Sequence, residues 1–169
     1  YGSVLGRIEQ TYGVPGEIIV AIWGLESDYG VNLGKFQTVR SLASLAYDCR
    51  RSELFKAELM DILRVIERGD LSAQDLRGAW AGEVGQTQFM PSSYVKYAVD
   101  FDGNGRRDLV RSVPDVLAST ANFLAGKGWQ RGKDWAPGSA NLAVIKEWNK
   151  SEVYARTIGY FATQLARAP

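Results

Sequence analysis

The stretch Ile18-Ile-Val-Ala-Ile-Trp-Gly-Leu-Glu-Ser-Asp-Tyr-Gly30 decides how the fold of this chain is predicted. Its apolar residues recur three, four and seven positions apart, which is the spacing of one face of an α-helix. The residues that share this face are Ile18, Ile19, Ile22, Trp23 and Leu25. Glu26 follows Trp23 by three positions and Ile22 by four, so its carboxylate lies on the same face. The stretch therefore predicts a buried helix that ends in a single carboxylate.

Two interpretations of Glu26 are open at this point. Burial raises the pKa of a carboxyl group because it disfavours the charged form. A carboxyl that stays protonated near neutral pH is suited to act as a general acid toward a poor leaving group such as a glycosidic oxygen. The spacing alone favours the other interpretation, in which a buried Glu26 pairs with an arginine or caps a neighbouring helix.

Composition limits the classes of function. The 169 residues are enough for one domain with a substantial core, and 46% apolar and 23% charged residues are ordinary for a globular protein. A net charge of +1 argues against a nucleic-acid partner. The chain has no histidine, which excludes a Ser-His-Asp or Cys-His triad and any metal site that needs imidazole. A single cysteine, Cys49, cannot form an internal disulfide, so the redox compartment stays open.

No targeting or membrane segment is recognisable. No run of about 18 apolar residues occurs, so a transmembrane helix is not predicted. Residues 1–6 lack the charged and apolar regions of a signal peptide, and they are compatible with a mature or trimmed terminus.

The rest of the chain is mostly helical in pattern, and residues 126–140 are expected to form a loop rich in Gly, Pro and Trp. Helices are predicted over Val4–Tyr12, from Pro15 through Glu26, Ser41–Tyr47, Ser52–Arg68, after Ser72, Pro91–Val99, Val116–Ala125 and Lys150–Ala168. The residues expected to face inward from the two longest are Leu54, Phe55, Leu59, Ile62, Leu63 and Ile66, and Val153, Ile158, Phe161 and Leu165. Five tryptophans are spread through the chain, and they fit either a core or the lining of a sugar cleft.

Residues 100–108, Asp-Phe-Asp-Gly-Asn-Gly-Arg-Arg-Asp, match the first half of a calcium-binding loop. Such a loop has oxygen ligands at positions 1, 3 and 5, a glycine at position 6 and a backbone carbonyl ligand at position 7. Position 12 is Arg111 rather than the usual bidentate glutamate, so Asp115 is the candidate that closes the site. The other interpretation is an Asp/Asn/Gly turn that binds no cation.

Residues 81–94 form a second segment with possible chemistry. Its small residues allow a ligand to approach the backbone closely, and Gln88 offers both a donor and an acceptor. Glu83 is a second carboxylate that would act together with Glu26 if the two faced each other across a cleft. Glu83 is also compatible with a solvated loop position.

Five segments together resemble the lytic murein transglycosylase B family, glycoside hydrolase family 103. They occur in the family's order with similar spacing, and the similarity extends over nearly the whole chain. The segments are WGLESDYG at 23–30, YDCRRS at 47–52, GQTQFMPSSY at 85–94, AVDFDGNG at 98–105 and WNKSEVYA at 148–155.

The resemblance implies a mostly α, lysozyme-like fold of the goose-lysozyme type, with residues 1–169 as a single catalytic domain. It implies cleavage of the β-1,4 bond between N-acetylmuramic acid (MurNAc) and N-acetylglucosamine (GlcNAc) in peptidoglycan, with a 1,6-anhydroMurNAc product. Glu26 would act first as the acid and then as the base. No cofactor is expected for the chemistry. The family domain usually includes a further segment before the Tyr-Gly-Val-Pro motif at 12–15.

The resemblance also implies a set of residues that bind substrate and calcium. Phe123 and Trp148 stand where the family commonly has Tyr, and Glu83 stands where small or apolar residues are usual. The implied substrate-binding residues are Arg50, Arg51, Gln88, Phe89, Phe123, Asn149 and Tyr154. The implied structural Ca²⁺ ligands are Asp100, Asp102, Asn104, the carbonyl of Arg106, and Asp115 after one extra residue.

Three functions are therefore considered, in this order: a lytic transglycosylase, a hydrolytic muramidase and a peptidoglycan-binding module without activity. The expected partner is the peptidoglycan glycan strand, in the bacterial cell envelope, periplasmic or secreted. No nucleic acid or transmembrane segment is expected. The sequence leaves the oligomeric state open, with a monomer as the expectation.

Overall fold

Residues 1–167 are described by a computed structural model, in which they form eight helices and one two-stranded sheet. The helices are α1 Gly2–Tyr12, α2 Gly16–Ser27, α3 Thr38–Tyr47, α4 Ser52–Glu67, α5 Pro91–Tyr97, α6 Val113–Gly126, α7 Ala140–Trp148 and α8 Glu152–Arg167. Strands β1 Phe36–Gln37 and β2 Arg77–Gly78 pair antiparallel. The predicted mostly helical fold is confirmed, although Ala168, the predicted end of the last helix, lies outside the described residues.

Helix α2 runs through the core, as its apolar spacing predicts. It packs against α8, α6 and α1, and Ile18, Ile19 and Ile22 are fully buried. Leu25 was expected on the same face but is exposed. Spacing identifies the face of a helix, but it does not show how far along the helix its neighbours extend.

Local signals at the helix ends are those expected from the sequence. Gly13 ends α1 in the left-handed conformation, with φ of +74°, and its N–H donates to the carbonyl of Glu9 at 2.8 Å. Ser112 and Ser139 begin α6 and α7, and each side chain accepts a hydrogen bond from the backbone N–H three residues later.

One local prediction was wrong, and two elements were not predicted. Helix α7 was not predicted, because its nine residues directly follow a loop rich in Gly and Pro. The helix predicted after Ser72 is a turn in which the Ser72 hydroxyl donates to Asp75 Oδ2 at 2.7 Å, and the chain then enters β2. The small sheet was not predicted either, because two-residue strands show no alternating pattern.

Helix α4 buries a carboxylate in place of two predicted leucines. Leu54 and Leu63 are exposed, whereas Glu58 is only 6% exposed. Glu58 accepts hydrogen bonds from the backbone N–H and the hydroxyl of Ser92, at 2.8 and 2.7 Å. The carboxylate therefore satisfies an N–H at the start of α5 and ties the two helices together. In α8, Val153 is also exposed, contrary to expectation.

Within residues 1–167, no helix combines the length and the apolar character needed to cross a bilayer.

Candidate active site

Glu26 lies in the last turn of α2, where α7 ends and α8 begins. The indole Nε1–H of Trp148 donates a hydrogen bond of 2.8 Å to Glu26 Oε1. The hydroxyl of Tyr154 donates to the same oxygen. Both donors therefore act on Oε1, while Oε2 accepts no hydrogen bond from residues 1–167.

Aromatic packing fixes the direction of the Trp148 donor. The Trp148 ring meets the rings of Phe89 and Phe123 edge to face, with centroids 5.2 and 4.9 Å apart. Phe123 in turn packs edge to face on Tyr97 at 5.0 Å. Such contacts restrict the indole plane, so its N–H stays directed at the carboxylate.

The surroundings of Glu26 favour a protonated carboxyl group. Burial is the largest influence and raises the pKa of Glu26 above its usual value of 4.5, and the negative charge of Glu83 raises it further. The hydrogen bonds from Tyr154 and Trp148 lower it, and the net pKa is raised. Burial and the neighbouring Glu26 also raise the pKa of Tyr154, so its hydroxyl stays a donor. A carboxyl in this state can protonate a bound group and, once ionised, accept a proton back.

Two cavities meet at Glu26. The first, here called the Phe123 cavity, has a volume of about 430 Å³. It is lined by Glu26, Ala79, Glu83, Gln88, Phe89, Met90, Ser93, Phe123, Glu147, Trp148 and Asn149. The second, the Phe36 cavity, has a volume of about 580 Å³. It is lined by Glu26, residues 31–36, Ala79, Trp80 and Gln88. Since Glu26, Ala79 and Gln88 line both, the carboxyl group lies at the junction of a groove that extends to either side.

The structure places five of the predicted substrate-binding residues around Glu26. Gln88, Phe89, Phe123 and Asn149 line the Phe123 cavity, and Tyr154 contacts the carboxylate directly.

The amide of Gln88 is already engaged with the backbone. It donates to the carbonyls of Gly85 and Leu33, at 2.8 and 3.2 Å, and accepts from the N–H of Ala79 at 3.2 Å. Its own backbone is left-handed, with φ of +53°. These bonds hold the segment between β2 and α5 together and tie it to the loop that contains Leu33, and both border the groove.

Glu83 lies in the Phe123 cavity with Glu26. One of its oxygens, Oε2, accepts a hydrogen bond of 3.1 Å from the N–H of Ala81. Glu83 therefore holds the backbone two residues before it, while its negative charge raises the pKa of Glu26.

Arg50 and Arg51 do not line either cavity at Glu26. They line a third one of about 260 Å³, here called the Arg51 cavity, together with Leu45, Asp48, Phe55 and Trp80. Arg50 forms an ion pair of 2.8 Å with Asp48, and this hydrogen-bonded contact lowers the pKa of Asp48 to about 2. Trp80 lines both the Arg51 cavity and the Phe36 cavity, so the two cavities adjoin at its side chain.

Three of the predicted calcium ligands converge. Carboxylate oxygens of Asp100, Asp102 and Asp115 lie within 4.8 Å of one another. Asp115 is fully buried, which raises its pKa, and it accepts N–H hydrogen bonds from Phe101, Asp102 and Asp108. Carboxylate oxygens are the ligands that Ca²⁺ prefers, so the donor set fits a hard cation. The other two predicted ligands lie in the same turn, where Asn104 Oδ1 accepts from the N–H of Arg106.

Sequence reasoning did not identify two features of this site. Trp148 was noted only as a replacement for Tyr, although its N–H is one of two donors to Glu26. Trp80 was grouped with the other tryptophans, although it borders two cavities. Its position in a segment rich in Gly and Ala, where a buried ring has few large neighbours, is the signal that could have distinguished it.

Comparison with known proteins gives a consistent result. The profile of the family described as "Transglycosylase SLT domain" matches residues 1–139. The membrane-bound lytic murein transglycosylase B of Escherichia coli K12 is 42% identical over 133 residues, which make up 78% of this chain and 37% of that protein. The chain thus spans well under half the length of this relative.

Solved structures agree over almost the whole fold. SltB3 from Pseudomonas aeruginosa, in complex with NAG-anhNAM-pentapeptide, is 32% identical with a TM-score of 0.91, over 96% of this chain and 60% of that one. The Escherichia coli lytic transglycosylase Slt35, in complex with calcium, is 29% identical with a TM-score of 0.90, over 99% of this chain and 71% of that one. The expected lysozyme-like fold class is confirmed by these structures. With most of its length matched by the family profile, the chain belongs to the transglycosylase SLT domain family.

Proposed function

We propose that this chain is a lytic transglycosylase that cleaves the β-1,4 bond between MurNAc and GlcNAc in peptidoglycan and forms 1,6-anhydroMurNAc. The observation that carries the proposal is a carboxyl group of raised pKa, with both of its donors on one oxygen, at the junction of two cavities. Supporting it, a related SltB3 structure holds NAG-anhNAM-pentapeptide and another holds NAG-NAM-pentapeptide.

In the first step, Glu26 acts as the general acid. Because Trp148 and Tyr154 both donate to Oε1, the proton belongs on Oε2. Glu26 transfers this proton to the glycosidic oxygen as the bond from the anomeric carbon to that oxygen breaks. The 2-acetamido group of the MurNAc ring stabilises the positive charge that develops at the anomeric carbon. Glu26 leaves this step as a carboxylate.

In the second step, the same carboxylate acts as the base. It takes the proton of the MurNAc 6-hydroxyl while that oxygen bonds to the anomeric carbon and closes the anhydro ring. The proton returns to Glu26, so the enzyme is regenerated. A nucleophile that belongs to the substrate has a large effective concentration, and no second carboxylate is needed to activate water.

A hydrolytic muramidase is the second candidate, because Glu83 lines the same cavity as Glu26. Most hydrolytic glycosidases use two carboxyl groups that flank the scissile bond. The hydrogen bond from Ala81 to Glu83 gives this residue a structural use, which favours the transglycosylase.

The proposed substrate contacts divide between glycan and peptide. Gln88, Phe89, Phe123, Asn149 and Tyr154 would border the sugars next to Glu26. Arg50 and Arg51 would bind carboxylates of the lactyl group or the stem peptide in the Arg51 cavity, since guanidinium groups pair with carboxylates in bidentate geometry.

We further propose that residues 1–169 act as one catalytic domain in the bacterial cell envelope, either periplasmic or secreted. The substrate is the reason for this location, because peptidoglycan lies outside the cytoplasm. The glycan strand is the proposed partner.

A structural calcium ion is proposed at Asp100, Asp102 and Asp115, with Asn104 and the carbonyl of Arg106. The ion would hold the 100–108 loop against the start of α6. At a Ca²⁺ concentration of about 100 times Kd, binding adds about 2.7 kcal/mol to the unfolding free energy. We expect Ca²⁺ to raise the Tm of the wild type and not that of Asp102→Asn. Equal Tm shifts in the two proteins would refute the site.

The function is tested by mass spectrometry of soluble fragments released from purified peptidoglycan. We expect products about one water lighter than hydrolytic muropeptides, and none from Glu26→Gln. Hydrated reducing ends that depend on Glu83 would establish the muramidase. Cell-wall binding without products from either protein would establish a binding module.

A further inference from the structure

Trp80 differs from the other four tryptophans in its surroundings. It is 63% exposed, and within residues 1–167 its indole N–H donates no hydrogen bond and its ring packs edge to face on no other aromatic ring. Trp23 and Trp148 donate to Gln86 and Glu26, Trp135 donates to the carbonyl of Gly159, and Trp129 is buried.

The loop that carries Trp80 is nevertheless held firmly. The N–H before the indole, that of Ala79, donates to Gln88, and the N–H after it, that of Ala81, donates to Glu83. The flanking glycines are closely packed: a Cβ at Gly78 would lie 1.6 Å from the carbonyl oxygen of Glu83, and one at Gly82 would lie 2.3 Å from Leu42. The exposed indole ring of Trp80 is therefore held in a defined position by the hydrogen bonds to Gln88 and Glu83 and by the close packing at Gly78 and Gly82.

The ring borders the groove that contains Glu26. Trp80 shares the Phe36 cavity with Glu26 and with Phe36, which is 46% exposed. Aromatic side chains commonly line ligand pockets, and the C–H-rich face of a pyranose ring stacks on an aromatic face.

We propose that Trp80 is a stacking platform for one pyranose ring of the glycan strand, in the Phe36 cavity next to Glu26. This inference rests on the proposed function, because continuity with the groove at Glu26 identifies the occupant as a sugar. Gln88 and Glu83 hold the backbone on either side of Trp80 and so also serve as positioning residues for its ring. Trp80 also lines the Arg51 cavity, so the platform lies next to the two arginines.

The first test is kinetic and uses GlcNAc–MurNAc strands freed of peptide by an amidase. We expect Trp80→Ala to raise KM about tenfold, and Trp80→Phe, which keeps an aromatic face, to raise it about threefold or less. Tyr160→Ala is the matched control, since Tyr160 is 68% exposed on α8 and lines a separate cavity with Trp135. A KM for Trp80→Ala equal to that of the control, or a defect confined to peptide-bearing strands, would overturn the proposal.

The second test keeps Trp80 in place. In Glu26→Gln, which binds without cleaving, the indole N–H NMR signal of Trp80 is assigned by its loss in a Trp80→Phe variant. Adding the peptide-free strands should shift this signal and leave that of buried Trp129 unchanged. A Trp148 signal that moves while the Trp80 signal stays fixed refutes the platform. A shifted Trp80 signal in a wild type that makes no product supports the platform and refutes the transglycosylase.

Discussion

Replacing Trp148 by Phe should make Glu26 a weaker acid. The change removes the N–H that donates to Oε1 at 2.8 Å and keeps a ring that can pack on Phe89 and Phe123. The lost hydrogen bond stabilises the carboxylate more than the neutral acid, so its removal raises the pKa of Glu26. A hydrogen bond to a charged group contributes about 1.5–3 kcal/mol. Because Glu26 borders a groove open to solvent, we take the lower end, which is about one pKa unit.

The assay is the pH dependence of anhydro-product release. The first step of the proposed mechanism requires protonated Glu26, so we expect kcat/KM to fall as the pH rises through the pKa of Glu26. We expect this alkaline limb to move up by about one pH unit in Trp148→Phe. The plateau below it should fall, because a weaker acid transfers its proton less readily.

The matched variant is Glu83→Gln, which keeps an oxygen for the N–H of Ala81 but removes the negative charge. That charge raises the pKa of Glu26, so its loss should move the limb to lower pH. Carbon-13 titration of the Glu26 carboxyl would follow both shifts directly. A limb that does not move, or moves the same way in both variants, would refute this account of the site.

Two further predictions concern stability. Because the pKa of Glu26 is raised in the folded state, the stability of the wild type falls as the pH rises from about 4.5 through the folded pKa. Over that pH range the Tm of Glu26→Gln should therefore rise relative to that of the wild type, by about 2–4 °C per kcal/mol. A Tm difference that does not depend on pH would contradict this. Gly78→Ala should lower the free energy of unfolding, measured in urea, by at least about 3 kcal/mol, because its Cβ would collide with the carbonyl of Glu83. Gly6→Ala, which has open space around it in α1, should raise that free energy by about 0.5–1 kcal/mol. Similar effects of the two substitutions would refute the importance of close packing at Gly78.

The predictable parts of this molecule are those in which local spacing carries the information. The apolar repeat at 18–25 predicted α2, and alternating oxygen residues at 100–104 predicted a turn whose carboxylates converge. The donors to Glu26 were not predictable from spacing, because they lie 122 and 128 residues away and depend on where α7 and α8 pack.

Local spacing also does not predict which hydrogen-bond partner a polar side chain takes. Gln88 and Glu83 were considered as groups that face substrate, yet the side chains of both form hydrogen bonds with nearby backbone groups. The burial of Glu58 in place of Leu54 has the same origin: an unpaired N–H at the start of α5 attracts a carboxylate that the helical pattern treats as solvated.

The long separation between Glu26 and its donors has a consequence for biosynthesis. A ribosome adds Trp148 and Tyr154 only 122 and 128 residues after it adds Glu26. Until α8 docks on α2, the nascent polypeptide carries the acid without the groups that orient its proton. The two donors to Glu26 therefore come together only when α8 docks on α2, and a product truncated before residue 148 lacks both of them.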